Sequence, residues 1–431
     1  MGRIVLNTFG SLGDVHPYLA LAIRLRERGH ETVLATSEVY RNKALAEAVE
    51  FALVRPNVSE LLGQANLLKK LWDTRRGSEY LIREYILPQL EDSYQDLLLA
   101  CRGADLILTH AAAYAGPIVA EVMRVPWLSV ILQPIVFFSA YDPPWLPAAG
   151  RWNAVIRVGP IPFRLLTRLA QVQLNRWAGP IHQLRESVGL ERAKDNVLLR
   201  GKLSPFGTLA LFSEHFAKPQ RDWPANTRQT GFVFYDGRGN MPSVAEPRDA
   251  KALNAFLAAG TAPVLFTLGS SAVMHPENFF RESIAAAEMA GVRAVLLAGP
   301  LDASAASTAD SIHVASYLPY REIMPHSAAV VHQGGIGTTA QALRAGRPML
   351  VVPWAHDQPE NAMRLKRLGV ARVLPREQYR APRVARELKR LLNDPFYKFR
   401  ATALGAKIAA EDGLTAACDA IENFMTSHAP Q

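Results

Sequence analysis

Two cysteines, Cys101 and Cys418, are all that the 431 residues contain. They lie far apart and in no metal-binding spacing, which excludes a disulfide framework and suits a reducing compartment, here expected to be the cytoplasm. No apolar run reaches roughly 18 residues, so no membrane-spanning helix is expected. No charged and apolar leader precedes the strand-like Ile4–Leu6, so no signal peptide is expected. Like charges nowhere form a run of about five, which argues against nucleic acid as a partner. The excess of base is nonetheless large, with a formal net charge of +9 and an isoelectric point near 9.6. That balance suits nucleotide phosphates and allows peripheral contact with an acidic membrane face.

Apolar residues make up 49% and charged residues 20%, the values of a well-packed protein. The length fits two domains of about 200 residues each. Arg3–Thr8 reads as a strand, Tyr18–Arg28 as a helix with apolar residues at helical spacing, and Glu31–Ala35 as a second strand. The alternation continues with strands over Asp105–Thr109, Trp127–Leu132 and Thr208–Phe212 around a helix at Gly116–Met123. A second set follows: strands at Val264–Leu268, Arg293–Leu297, Ala328–His332 and Pro348–Val352, with helices at Phe279–Met289 and Thr338–Arg344. Strand, turn, helix, strand implies parallel sheets. The expected fold is α/β, two doubly wound domains facing a cleft, with ligands at the carboxyl ends of the strands. The domains are placed at 1–220 and 244–394, joined by a linker at 221–243 rich in Pro, Gly and charge. Helices from 395 to 431 are expected to pack back on the first domain. Residues 59–94 and 133–177 fit the alternation poorly. They read either as ordinary core or as a wall for an apolar ligand.

The most informative stretch is His332-Gln333-Gly334-Gly335-Ile336-Gly337-Thr338-Thr339, between a buried strand and a helix. Gly334, Gly335 and Gly337 let backbone N–H groups approach a ligand closely. A helix N-terminus attracts anions, so a diphosphate is the natural guest. His332 and the hydroxyls of Thr338 and Thr339 add donors. Gly335 to Ala340 also matches the loose G-x-G-x-x-A dinucleotide pattern, with Asp357 near the place of a ribose-binding acid. A nicotinamide-dependent oxidoreductase and a non-catalytic nucleotide-sugar-binding helper therefore stand as alternatives.

The run from His332 through Arg344-Ala345-Gly346-Arg347-Pro348 to Pro353-Trp354-Ala355-His356-Asp357-Gln358-Pro359-Glu360-Asn361 resembles the donor signature of family 1 glycosyltransferases, which have the GT-B fold. Gly10-Ser11-Leu12-Gly13-Asp14-Val15-His16-Pro17 resembles the bacterial branch that acts on antibiotics, sterols and rhamnolipids. Gln220-Arg221-Asp222-Trp223-Pro224 with Thr230-Gly231-Phe232 is similar to the rhamnolipid rhamnosyltransferases. The likeness spans nearly the whole chain. It implies inverting transfer of a hexose or deoxyhexose from a UDP- or dTDP-sugar to a hydroxyl of a small apolar acceptor such as a lipid, phenol or polyketide. UDP-glucose is the first donor expected and dTDP-rhamnose the second. It implies that His332 to Thr339 hold the diphosphate, Asp357 and Gln358 the sugar hydroxyls, Tyr317 the base, and Gln341 the ribose, with Ser270 near the phosphates. Against these stand plainer readings: Asp357 and Gln358 as helix caps, Tyr317 as core, Ser270 as a turn residue.

Attack on the anomeric carbon needs a base for the acceptor hydroxyl. The resemblance puts Asp14 in that place; the alternative is an N-cap of the following helix. His16 is the other candidate base, or else a cleft-lining or capping residue. His110, just past its strand, falls near where the resemblance implies an Asp that orients the catalytic His in plant relatives; it is a candidate to approach Asp14 and tune or relay its proton, or else a satisfied histidine near the domain surface. The chain has no Asp-x-Asp, the motif by which other glycosyltransferases hold a divalent ion. No metal and no cofactor beyond the nucleotide sugar are expected, and the protein is expected to be a monomer or dimer.

Overall fold

The computed structural model describes residues 1–62, 64–237, 247–299 and 309–428; positions 238–243 of the expected linker lie outside them. The chain forms two compact units. One comprises Met1–Gly10, Asp14–Tyr235 and Asp412–Gln431, the other Ser11–Gly13 and Asp236–Glu411.

The first unit is built on seven strands: β1 (Arg3–Asn7), β2 (Glu31–Thr36), β3 (Glu50–Leu53), β4 (Leu106–His110), β5 (Trp127–Ile131), β6 (Thr208–Ala210) and β7 (Thr227–Gln229). All pairings are parallel, and the order is β3-β2-β1-β4-β5-β6-β7. The interior strands are apolar on both faces because helices cover both faces, as parallel sheets require. Val5, Val33, Ile107 and Trp127 join Ile118, Val119 and Leu97 in one core. From β1 the chain winds outward to β2 and β3, then returns to β4 on the other side of β1. A crevice opens where the winding reverses, at the carboxyl ends of β1 and β4.

The second unit repeats the plan with β8 (Val264–Thr267), β9 (Ala294–Leu297), β10 (Ile312–Ala315), β11 (Ala329–His332), β12 (Met349–Val351) and β13 (Ala371–Val373). These pair in parallel in the order β10-β9-β8-β11-β12-β13. Its reversal lies between β8 and β11. Phe266, Leu296, Val330 and Leu350 are wholly buried along the strands.

Three expectations need correction. Thr208–Phe212 is not the last strand of its half, because Thr227–Gln229 adds β7 at the sheet edge. The first helix starts at Leu12, not Tyr18, and carries Pro17 inside it. Proline lacks the N–H that would bond Gly13, so the local signal read as a turn although the helix runs through it. His110 is the last residue of its strand rather than the first after it.

The two irregular segments differ from each other. Leu61, Leu71, Tyr85, Ile86, Leu87 and Leu90 join the main core, so the first is ordinary packing. The second folds into short helices at Trp152–Ile156 and Pro160–Trp177 around a small cluster of Ala140, Ile156 and Phe163. The closing helices divide. Pro395–Ala409 belongs to the second unit and Gly413–Ser427 to the first. In the first unit Arg28 pairs with Asp419 and Glu422 at 2.6 Å each.

Candidate active site

In the first unit the site grows from the turn after β1. Gly10 has φ +131°, a conformation that L side chains rarely adopt. A Cβ there would meet Asp14 Oδ2 at 2.3 Å. The Asp14 carboxylate thus fills the space that glycine leaves. Asp14 lies in the first turn of helix Leu12–Glu27, one turn inside the place of a cap, where the helix dipole favours its charge. The Tyr40 hydroxyl donates to the Gly10 carbonyl at 2.9 Å and fixes the turn.

His110 comes to this carboxylate from the end of β4. Its Nε2 is 3.8 Å from Asp14 Oδ1. The Ala112 N–H donates to His110 Nδ1 at 3.3 Å, which leaves the proton of the neutral ring on Nε2, toward Asp14. Burial first, and then the Lys202 charge, push the His110 pKa down to about 4. The ring is therefore neutral near pH 7. Burial also pulls the Lys202 ammonium down to about 8. His110, Tyr114, Arg185 and Lys202 line a cavity of about 20 Å³, room for about one water. The Tyr18 ring meets His110 edge-on at 6.2 Å. Burial, and then the nearby Asp14 charge, raise the Tyr18 pKa.

His16 points elsewhere. Two positions along a helix do not share a face, and its ring packs on Tyr235 at 4.8 Å. Burial and Lys43 lower its pKa to about 3. The structure therefore brings together Asp14 and His110 and leaves His16 apart.

In the second unit the corresponding two turns meet. A Cβ on Gly269, after β8, would reach the Gln333 amide nitrogen at 2.3 Å and Thr338 Oγ1 at 3.3 Å. Ser270 follows Gly269 and is exposed there. Thr267 Oγ1 and the Tyr320 hydroxyl lie 2.9 Å apart. His332 ends β11 and is wholly buried. The Gly334 N–H donates to its Nδ1 at 3.1 Å, and burial lowers its pKa to about 3. The neutral ring therefore carries its proton on Nε2, and that atom has no hydrogen-bond partner. Thr339 Oγ1 is also buried without one. Helix Ile336–Arg344 starts after Gly335 with no side-chain cap, so its first N–H groups have no acceptor within the helix. Unsatisfied donors in one turn favour an anion.

Gly334 has φ +90°, and a Cβ there would meet Val351 at 2.9 Å and the Gln358 carbonyl at 3.1 Å. This close approach joins the Gly-rich turn to helix Gln358–Leu368. Asn361 Nδ2 donates to the Gly334 carbonyl at 2.9 Å and to Asp357 Oδ2 at 2.6 Å. Asp357 precedes the helix without a capping bond from its side chain. It also lies well beyond the end of β12, whereas a dinucleotide-type acid sits at a strand end. Gln358 Oε1 accepts from the Trp354 and Ala355 N–H groups at 2.9 and 3.3 Å, so only its amide N–H groups remain for a ligand. Gln341 is drawn away from the turn, its amide oxygen accepting from Arg344 at 2.8 Å. Tyr317 is 46% exposed, which overturns the core reading. Among the described residues no group of three His, Cys, Asp or Glu could hold a metal ion.

Sequence reasoning missed several neighbours. Gln333 and Asn361 stood within the runs quoted above and were passed over. His356 has φ +60°, strain of a kind that gathers at functional sites and that no residue type announces. Tyr18, Tyr40 and Lys202 reach Asp14 or His110 only through the fold.

Residues 4–134 match the glycosyltransferase family 28 N-terminal domain, and residues 289–422 the C-terminal domain of erythromycin biosynthesis protein CIII-like proteins. O-mycaminosyltylonolide 6-deoxyallosyltransferase of Streptomyces fradiae is 34% identical over 99% of this chain and 100% of its own length. A sterol 3-beta-glucosyltransferase of Neurospora crassa is 29% identical over 97% of this chain, which spans only 27% of that longer protein. The calicheamicin glycosyltransferase CalG4 superposes with a TM-score of 0.71 at 17% identity, covering all of both chains. The glycosyltransferase VinC, solved with dTDP, gives 0.68 at 20% identity over 99% of this chain and 100% of its own. The chain accordingly belongs to the GT-B glycosyltransferases in which a family 28 N-terminal domain is followed by a CIII-like C-terminal domain.

Proposed function

We propose that this glycosyltransferase moves a hexose or deoxyhexose from a UDP- or dTDP-sugar, with inversion and without a metal, to a hydroxyl of a small apolar acceptor. The observation that carries the reading is the Asp14 carboxylate, held at the end of β1 over Gly10 with His110 Nε2 3.8 Å away. In this mechanism Asp14 takes the acceptor hydroxyl proton. The acceptor oxygen bonds the anomeric carbon as the bond from that carbon to the diphosphate breaks. Single displacement inverts the configuration. The leaving diphosphate gathers negative charge, which the start of helix Ile336–Arg344, the His332 Nε2–H and the hydroxyls of Thr338 and Thr339 offset. Tyr317 offers an exposed ring for the base, Asp357 and the Gln358 amide meet sugar hydroxyls, and Ser270 lies beside the phosphates. The acceptor class follows the relatives named for O-mycaminosyltylonolide and for sterols.

Family membership sets aside the oxidoreductase and helper readings of the Gly-rich turn. The test is turnover with UDP-glucose and with dTDP-rhamnose, each with a panel of apolar hydroxylated acceptors and EDTA, read by mass. An acceptor that gains one sugar in EDTA supports the proposal and names the donor. Product that forms only after a divalent ion is restored would refute the metal-independent part.

A further inference from the structure

Residues 143–185 contain six arginines and no lysine, aspartate or glutamate. Arg185 pairs with Glu121; among the described residues Arg151, Arg157, Arg164, Arg168 and Arg176 pair with no acid. Most of this segment is the hairpin of helices Trp152–Ile156 and Pro160–Trp177. The longer helix has two apolar stripes. At about 100° per residue, Phe163, Leu166, Ala170 and Leu174 share one side. Phe163 and Leu166 pack in the hairpin's own cluster, and Leu174 against the main core of the first unit. Ile161, Leu165, Leu169 and Val172 share the other side and are 67, 53, 77 and 62% exposed. The fold uses the first stripe and leaves the second in water. Arg164 and Arg168 border the exposed stripe, and Arg176 falls within its arc one turn beyond Val172. Trp152 and Val158 of the same hairpin are also exposed.

We propose that this hairpin docks the protein on an anionic lipid bilayer, with the exposed stripe in the acyl boundary and the arginines on lipid phosphates. A helix with an apolar face, a basic border and an aromatic residue beside it suits that interface. Charge decides among occupants. A second copy packed on the same face would set Arg164, Arg168 and Arg176 against the same three, with no acid in either segment. A single convex helix face also provides no groove for a peptide. The proposal goes beyond glycosyl transfer and does not depend on it. Docking would place the first unit beside acceptors that partition into membranes.

The test is flotation of the full chain with phosphatidylcholine vesicles, with and without phosphatidylglycerol, at low and high salt. Expected is flotation with the anionic vesicles that salt weakens. Arg168→Gln should weaken it about fivefold, and Leu169→Glu by about tenfold or more. Both positions are exposed, so the melting temperature should hold and separate docking from folding. Failure to float with anionic vesicles at low salt would overturn the proposal, as would flotation that both variants leave unchanged. A dimer in sedimentation equilibrium that Leu169→Glu dissociates, without vesicle binding, would assign the face to a second copy instead.

Discussion

Asp14 and Gly10 form one device, because the carboxylate occupies the volume that any side chain at Gly10 would need. Asp14→Asn keeps shape and removes the proposed base. It should lower kcat by about 10²- to 10⁴-fold, with the melting temperature and the donor KM unchanged. Gly10→Ala should also lower kcat, by displacing the carboxylate, and should cost stability because φ is +131°. Steady-state kinetics on both variants checks this; Asp14→Asn with wild-type kcat would exclude Asp14 as the base. The candidate residues were legible here through the family resemblance, and the fold gives that a physical reason. Aspartate after a Gly-rich turn, and histidine at the end of a buried strand, stand at positions that a doubly wound sheet turns into a crevice. Lys202 was not legible, since a lone lysine in an irregular stretch gives no sign that it approaches a histidine some ninety positions earlier.

At the scale of elements, the interior strands were legible and the edges were not. β3, β7, β10 and β13 escaped the sequence reading, and these are the four outer strands of the two sheets. An interior strand is covered on both faces and writes a continuous apolar run. β3 and β7 have no buried residue, and β10 and β13 are only partly buried. The last helix, Gly413–Ser427, is fastened by a close backbone approach as well as by the Arg28 ion pairs. A Cβ on Gly413 would meet the Phe232 carbonyl oxygen at 2.4 Å and Gly231 at 2.8 Å. Gly413→Ala should force that helix off its seat at a cost of about 1–3 kcal/mol. A lower urea midpoint at unchanged slope would bear this out; an unchanged midpoint would mean that the contact yields freely.

For the whole molecule, pH acts through histidines distributed over both units. Burial holds His16 and His332 at about 3 and His110 and His356 at about 4, against about 6.5 when exposed. All four are lowered, so the unfolded chain binds more protons than the folded one below about pH 6.5. Stability from these groups is complete above that value and is lost as pH falls toward 4. Melting temperatures measured by calorimetry should be level from about pH 7 to 8 and should decline steadily between about 6.5 and 4. A level profile through that window would show that the histidines are not buried as described. Lowered carboxylates such as Glu38, Glu79 and Asp412 add a loss of the same sign at still lower pH.

The histidines that end β4 and β11 are held alike, each ring taking an N–H from the residue two places on. The only lone pair of the neutral imidazole is then spent on the main chain. Such a ring can offer its remaining hydrogen but has nowhere to receive another without first breaking its own tether. It behaves as a fixed dipole and not as a proton carrier. On the proposed mechanism the acceptor's proton would stay on Asp14 until solvent collects it. His110 serves by facing a positive end toward that carboxylate, as His332 presents one to whatever negative charge arrives in its own turn.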